Sequence, residues 1–330
     1  MAIVFTFGVN DQGVAAVRPD ANGQMRIHVD GSSNIIGMMD FGRITPIPFL
    51  LYGPNAEQPP FRIPGKPSLI FNQISDGDSH TVALKRCVEL CRQVKAPVIN
   101  APEAILSSTR DQVAQRLREI PGVHAPKTVR SAPGSPAEVL AAIENSGLEY
   151  PVIMRTTGEH NAAGMVLLHG CEDLEKLHVF PFDGRDFYLS EYVDFSDHNG
   201  IFHKHRIVMV DGEPMPRHAF FNDHWMVNSS CIDFMRAHPE YGSPAENLDE
   251  LERQRLPKAL HALQEISRIM ELDYFGIDCQ IDADGQVLLF EANANMNVMI
   301  DKIPEISGRI VAIKQKLRAL IERRSGERFG

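Results

Sequence analysis

The chain has 330 residues, 43% hydrophobic and 23% charged, with a formal net charge of −10, enough for two or three lobes around full cores. The acidic balance argues against nucleic acid as the main partner, so any bound phosphate needs a local basic cluster. There is no run of 18 apolar residues for a membrane span, and Met-Ala-Ile-Val-Phe-Thr-Phe-Gly has no basic leader or cleavage site, which points to a cytoplasmic protein.

Ala2 to Phe7 predicts an opening strand, and Met25 to Val29 another. Gly8 after the first strand reads as a plain turn or, on one glycine alone, a phosphate cradle. Residues 43–67 hold seven prolines and no periodicity, so they predict an irregular connection. Ser68 to Asn72 is strand-like, and Asp76-Gly77-Asp78-Ser79 is a helix-start or turn cluster. From Thr81 to Val94, Leu84, Cys87, Val88, Cys91 and Val94 follow helical spacing. The five cysteines lack zinc spacing and read as reduced thiols, Cys87 and Cys91 as small buried hydrophobes. Pro97 to Asn100 is a short strand. Strands alternating with helices predict a small open α/β sheet.

Ser107-Ser108-Thr109 precedes an amphipathic segment carrying Val113, Leu117 and Ile120, and a Ser or Thr cap fits there. Arg110 falls in the first turn, where the helix dipole does not favour a cation. Ser135-Pro136-Ala137-Glu138 supplies an N-cap, a proline at the first position and a glutamate at the third, for a helix to about Gly147. Tyr150 to Arg155 predicts a strand, Thr156 to Gly164 a small-residue loop, and Met165 to Leu168 the return strand. Such a glycine-bracketed loop can fold its N–H groups over a phosphate chain, with Arg155 at its entrance.

Asp186 to Val193 is followed by a polar run, and Ile207 to Val210 and Met215 to Phe220 flank the hairpin turn Asp211-Gly212. Arg206 and Arg217 stand near opposite ends of that hairpin. His203 and His205 alternate on a strand without a third partner, which does not make a zinc site. Leu248 to Met270 and Ile303 to Ile321 are long helical patterns, the second interrupted at Gly308. Phe275 to Asn297 predicts two strands joined by a tight turn at Asp282-Ala283-Asp284-Gly285. Alternation puts Glu291 and Asn293 on one face, and antiparallel pairing brings Asp278 beside them. Two carboxylates and a carboxamide make a hard-oxygen site for a divalent metal.

From roughly Arg110 to Asn297 the chain resembles the ATP-grasp superfamily, in its RimK-like, glutathione-synthetase-like and D-alanine–D-alanine-ligase-like branches. The most specific part is G-I-D-C…D-G…L-L-F-E-A-N. The resemblance implies an α/β (α+β) fold: two lobes gripping ATP, at 106–185 and 186–330, after a small open α/β domain at 1–105. It implies Mg²⁺ (or Mn²⁺) on Asp278, Glu291 and Asn293. Y-P-V-I-M-R…G…G-M resembles the family's P-V-hydrophobic-K strand and its phosphate-covering loop, here with Gly158 and Gly164. Arg155 stands where that strand carries a lysine, and Arg110 matches the earlier nucleotide-binding lysine. Arginine is a planar fork rather than a point donor. L-S-E-Y-V resembles the adenine-receiving linker, so Glu191 and the Val193 backbone would face the base and Asp194 or Asp197 the ribose. H-K-H-R-I-V-M-V-D-G resembles the family's R-hydrophobic-V strand. It implies Lys204 on the nucleotide and Arg206 near the transferred phosphate or the carboxylate, with Arg217 and Asn228 in the same cleft. The implied activity is ATP-dependent ligation of a small-molecule or peptide carboxylate to an amine (or thiol) through an acyl phosphate. A homodimer fits this type. A kinase on the same fold and a nucleotide-binding module without chemistry are the rival readings.

Overall fold

The computed structural model describes the chain except residues 1, 15, 20–24, 29–34, 37–38, 43, 53–60, 64, 159–163, 298–302, 327 and 329–330, with backbone alone at 16–19 and 25–28. Its first sheet contains β1 (Ala2–Gly8), and β2 (Ala16–Pro19) pairs with β3 (Met25–His28) as a separate hairpin. β4 (Thr45–Leu51), β5 (Leu69–Asn72) and β6 (Val98–Ile99) complete the first sheet, all parallel, in the order β4-β1-β5-β6. β4 corrects the expectation of an irregular 43–67 stretch. Pro46 and Pro48 lie two apart on this edge strand, so both point their missing N–H to the same side, and the free edge tolerates that. Of the five remaining prolines of the stretch, those at 54, 59, 60 and 64 lie outside the described residues, and Pro67 lies just before β5.

α1 (Thr81–Val94) crosses this sheet, burying Leu84, Cys87, Val88 and Leu90. Its first free N–H groups, on Thr81 and Val82, are met by the Asp11 carboxylate at 2.9 Å each, a cap from seventy residues upstream. A β-carbon on Gly8 would lie 2.8 Å from Ala83 Cβ and 3.0 Å from Ile74 Cδ1. Gly8 therefore admits the helix against the strand end, and neither a plain turn nor a phosphate cradle describes it.

After α2 (Pro102–Leu106) and α3 (Arg110–Leu117), β7 (Val123–His124) pairs in parallel with the last strand of the third sheet. Thr109 occupies the α3 N-cap position, but its hydroxyl donates to Asp111 (2.7 Å) instead of capping the helix. The second sheet is antiparallel, in the order β10-β9-β11-β8. Its strands are β8 (Thr128–Ser131), β9 (Val152–Thr156), β10 (Met165–Leu168) and β11 (Phe187–Glu191), backed by α4 (Pro136–Ser146). The Ser135 side chain caps α4 as its sequence pattern predicts, and Gly147 ends it at φ 63°. This lobe has a core of its own, built on Val139, Ile143, Val152, Met154, Leu168 and Phe187.

The third sheet runs β13-β12-β14-β15-β7. It comprises β12 (Phe202–Val210), β13 (Glu213–Asn222), β14 (Tyr274–Ile281) and β15 (Val287–Ala294). α5 (Ile232–Ala237) and α6 (Pro244–Glu250) lead through one π-turn into α7 (Leu256–Met270), so the long 248–270 pattern is broken near its start. α8 (Gly308–Ser325) begins at Gly308 rather than kinking there. It packs Ile310, Ile313, Leu317 and Ile321 against β1, β5 and the Val208, Val210 and Tyr274 side of the third sheet. No helix of the described residues is long and apolar enough to cross a membrane.

A buried amide seam joins the first sheet to the third. Asn100, fully buried at φ 58°, accepts from the backbone N–H groups of Asp273 and Tyr274 (2.9 Å each). Its amide nitrogen donates to Tyr274 O (2.6 Å) and Asn295 Oδ1 (2.8 Å). Asn295 then donates to Asn72 O and Ile74 O (3.0 Å each). Every polar atom of the Asn100 side chain is thus used, which is what allows an amide to sit in a core.

Candidate active site

The site is built on one transverse row of the third sheet. His218 on β13 faces Arg206 on β12, Arg206 faces Asp278 on β14, and Asp278 faces Glu291 on β15. Two β-bulges flank the row. On β13 the bulged residue is Arg217, because Arg206 pairs with His218 and Ile207 with Pro216. On β15 it is Phe290, because Asp278 pairs with Glu291 and Cys279 with Leu289. A bulge leaves backbone groups out of the ladder and re-aims side chains. Here the Phe290 carbonyl accepts a hydrogen bond from Arg110 Nη1.

A cleft of about 650 Å³ opens over this row, between the third sheet, the second sheet and the N-terminus of α3. Part of the lining is apolar, with Ala125, Ile153, Val193, Phe195, Leu288 and, paired with Arg155, Met165. The rest is charged: Arg110, Arg155, Lys204, Arg206 and Arg217 line it together with Asp278, Glu291 and Asn293. An excess of cations in a partly enclosed cleft favours a multiply charged anion.

Asp278 is 2% exposed. The Arg206 fork grips it at 2.6 and 2.8 Å, and Lys204 Nζ donates to it at 3.1 Å. Burial alone would raise its pKa, but the charges of Lys204 and Arg206 hold the carboxyl far below the usual range. Glu291 accepts from Arg110 Nη2 at 2.6 Å. Burial opposes its ionisation too, and the charges of Arg110, Arg155 and Lys204 together outweigh burial and the repulsion from Asp278, so its pKa is also lowered. Directly opposed carboxylates repel, so the surrounding cations are what make this pair tolerable. Asp278, Glu291 and Asn293 are hard-oxygen donors on adjoining strands, a donor set that fits Mg²⁺ with phosphate oxygens completing the shell. No cluster of three or more His, Cys, Asp or Glu side chains at metal-binding separations exists among the described residues.

Other residues implied by the resemblance fall less uniformly. Arg110, Arg155, Glu191, Val193, Lys204, Arg206, Arg217 and Asn228 all line the cleft, as do Asp278, Glu291 and Asn293. Glu191, however, uses its backbone N–H on Lys127 O (2.9 Å), and its carboxylate accepts from Lys127 N (3.0 Å). It ties β11 to the start of β8 rather than presenting a free carboxylate to a base. Asp197 does not line the cleft; it accepts from the N–H groups of Asn199 (2.8 Å) and Ile201 (3.0 Å), capping its own turn. Asp194 likewise bonds Ser196. Gly158, at φ 71°, packs against Ser79 and Asp76 of the first domain, outside the cleft, and Gly164 does not line it either. The loop between them, at residues 159–163, lies outside the described residues. His218 is the cleft residue the sequence reading missed. Alternation along Met215–Phe220 was its signal, since it places His218 opposite Arg206 on the same face.

The two strand histidines have other partners. His205 is buried and accepts from Ile281 N at 3.0 Å, while His203 Nε2 lies 3.4 Å from Asp197. Burial, and then the Arg255 charge, push the His205 pKa down to about 3. The folded form therefore binds fewer protons than the unfolded chain between about 3 and the ordinary 6.5, so stability is full above that window and falls as pH drops through it. The expected slope reaches about 1.4 kcal/mol per pH unit. Urea midpoints at pH 7.5 and 5.0 check this. The drop should be smaller in His205→Gln, which keeps an acceptor for Ile281 N but cannot titrate.

No family model matches the sequence, and a comparison with curated proteins finds no match. Solved structures do match. D-alanine–D-alanine ligase from Bacillus anthracis complexed with ATP superposes with a TM-score of 0.57 at 12% identity, over 98% of this chain and 97% of that one. VanG D-Ala:D-Ser ligase from Enterococcus faecalis gives 0.56 at 12%, over 98% and 99%. A RimK domain ATP-grasp protein from Sphaerobacter thermophilus gives 0.50 at 11%, over 84% and 90%. The chain has the ATP-grasp fold, a mixed α/β architecture, along nearly its whole length.

Proposed function

We propose that the protein is an ATP-dependent carboxylate–amine ligase that works through an acyl phosphate and releases ADP and phosphate. The observation that carries this reading is the Asp278–Glu291 pair. Two ionised carboxylates, Asp278 buried and Glu291 half-buried, face each other at the floor of an ATP-grasp cleft, ringed by Arg110, Lys204 and Arg206, with Asn293 on the same face. Held ionised by these cations, the pair offers oxygen donors to a divalent metal.

Asp278, Glu291 and Asn293 would hold Mg²⁺, which when bound spreads the charge of the β and γ phosphates. The apolar part of the cleft takes the base, with Val193 beside it, and Arg110 and Arg155 offset the phosphate chain. A substrate carboxylate oxygen attacks the γ phosphorus, the bond to the β-phosphate oxygen breaks, and ADP leaves. Arg206 and Arg217 stabilise charge on the transferred group and on the carboxylate, since such chemistry rests on positioning and electrostatics. The amine then attacks the acyl carbon and phosphate departs with the electron pair.

Hydroxylamine, which intercepts acyl phosphates as hydroxamates, provides the test. With Mg²⁺, ATP and a panel of amino acids and dicarboxylic acids, at least one carboxylate is expected to give hydroxamate and ADP together. A phosphorylated product that hydroxylamine does not intercept would identify a kinase instead. ATP binding without any nucleotide turnover across the panel would leave only a binding module.

A further inference from the structure

We propose that His218 accepts the proton released by the incoming amine in the ligation step, an inference that rests on the ligase reading above. The argument begins with the transverse row. His218 lies at one end and Glu291 at the other, with Arg206 and Asp278 between them. Three strand spacings separate the ends, about 14 Å. The metal and phosphate chain belong at the Glu291–Asp278 end, so the far end is left for the acyl carbon and its nucleophile.

His218 is held for this task. Its ring stacks on Phe220 with centroids 3.9 Å apart and planes 4° from parallel, and both side chains line the cleft. Adjacent positions on one strand face fix that orientation, since residues two apart point the same way. The β13 bulge beside it places Arg217 next to the same space.

The other polar groups in the cleft are poor proton acceptors. Arginine and lysine side chains have no acceptor lone pair while charged, which sets aside Arg206, Arg217 and Lys204. Asp278 and Glu291 are each bound to cations, and Glu191 is tied to Lys127. His218 is the neutral imidazole among them. Burial first, and then the Arg206 charge, holds its pKa well below the ordinary value, with Lys204 and Arg217 acting in the same sense and Asp278 opposing. It is separated from Asp278 by the Arg206 strand. An uncharged imidazole has an open nitrogen lone pair.

The step balances simply. The amine nitrogen forms a C–N bond to the acyl carbon, and the C–O bond to the phosphoryl group breaks, its electron pair leaving with phosphate. The surplus N–H proton passes to an imidazole nitrogen of His218. Amines attack as free bases, so an acceptor beside the forming bond speeds the step by about a hundredfold or more.

The test compares wild type with His218→Gln and His218→Asn, using methylamine and hydroxylamine as nucleophiles with whichever carboxylate forms hydroxamate. Circular dichroism confirms that the variants fold. The methylamine rate should fall about a hundredfold in His218→Gln, and the hydroxylamine rate less than tenfold, because hydroxylamine needs little help in losing its proton. Divided by the free-amine fraction at each pH, the wild-type methylamine rate should still decline towards acid pH, and this residual limb should be missing in the variant. Equal rates in wild type and both variants at every pH would overturn the role of His218 while leaving the ligase reading intact. No hydroxamate from wild type with any carboxylate would overturn both. Histidine NMR with Mg²⁺ and AMP-PNP, assigned by the variant, gives a readout without turnover. A neutral His218 ring at pH 7.5 is expected; an imidazolium there would overturn the proposal.

Discussion

Glu291→Gln is expected to lower ATP turnover by about 10²- to 10³-fold, some 3–4 kcal/mol of lost transition-state stabilisation. The fold should survive. Glutamine keeps an oxygen for Arg110 Nη2, and Arg110 retains its bond to the Phe290 carbonyl. Removing the charge also relieves repulsion with Asp278, which offsets the lost ion pair. The melting temperature should therefore stay within about 3 °C of wild type. Asp278→Asn makes the contrast. It leaves the half-buried Arg206 fork and Lys204 without their counter-charge, which costs about 3 kcal/mol. Both variants should lose turnover, but only Asp278→Asn should melt early. A folded Glu291→Gln protein with wild-type phosphate release would remove the carboxylate pair from the mechanism.

Asn100→Ala is expected to destabilise the protein by about 4 kcal/mol. The change strands the Asp273 and Tyr274 N–H groups in a dry seam and removes one donor from the Tyr274 carbonyl, which keeps Asn295 N (3.1 Å), and one from the Asn295 amide oxygen. Each orphaned group costs about 1–3 kcal/mol where water cannot enter. Alanine at a left-handed φ of 58° adds about 1 kcal/mol more. At this chain length the melting temperature should fall by about 10 °C. A fall of under 3 °C in differential scanning calorimetry would show that water replaces the amide. The variant should also bind Mg²⁺-ATP more weakly, because Asn295 lies two residues beyond Asn293 and its docking onto Asn72 and Ile74 fixes the end of β15.

The seam also shows where reading residues in order stops. Asn72 and Asn100 close two predicted strands and Asn295 follows another, and their spacing of 28 and 195 positions carries no periodic signal. Only chain crossing brings them together. The same holds for Arg110, whose place in the first turn of a helix suggests an ordinary surface arginine. It reaches Glu291 because α3 lies over the end of β15 and because a bulge turns the Phe290 carbonyl outwards. Asp11 capping α1 is a third case, a helix start without a local cap supplied by the loop after β1, seventy residues upstream.

The polar run after β11 failed in the opposite direction. Asp194 and Asp197 have the side chains to hold a ribose, yet both are used within their own turns, because short Asp side chains reach nearby N–H groups first. Proline density misled at β4, where an edge position removes the penalty that an interior strand would impose.

What sequence alone determined is local and periodic. The strand pair around Asp284-Gly285, the carboxylates at 278 and 291, the capped α4 and the glycine-bracketed hairpin after Arg155 all follow from alternation, turn chemistry and capping, which act over a few residues. Tertiary structure decided which charges meet. The cations that stabilise Asp278 and Glu291 come from β12 and α3, and the imidazole facing Arg206 comes from β13. Electrostatic pairing depends on distance in space, and here that distance is set by strand register and two single-residue bulges that no local pattern announces.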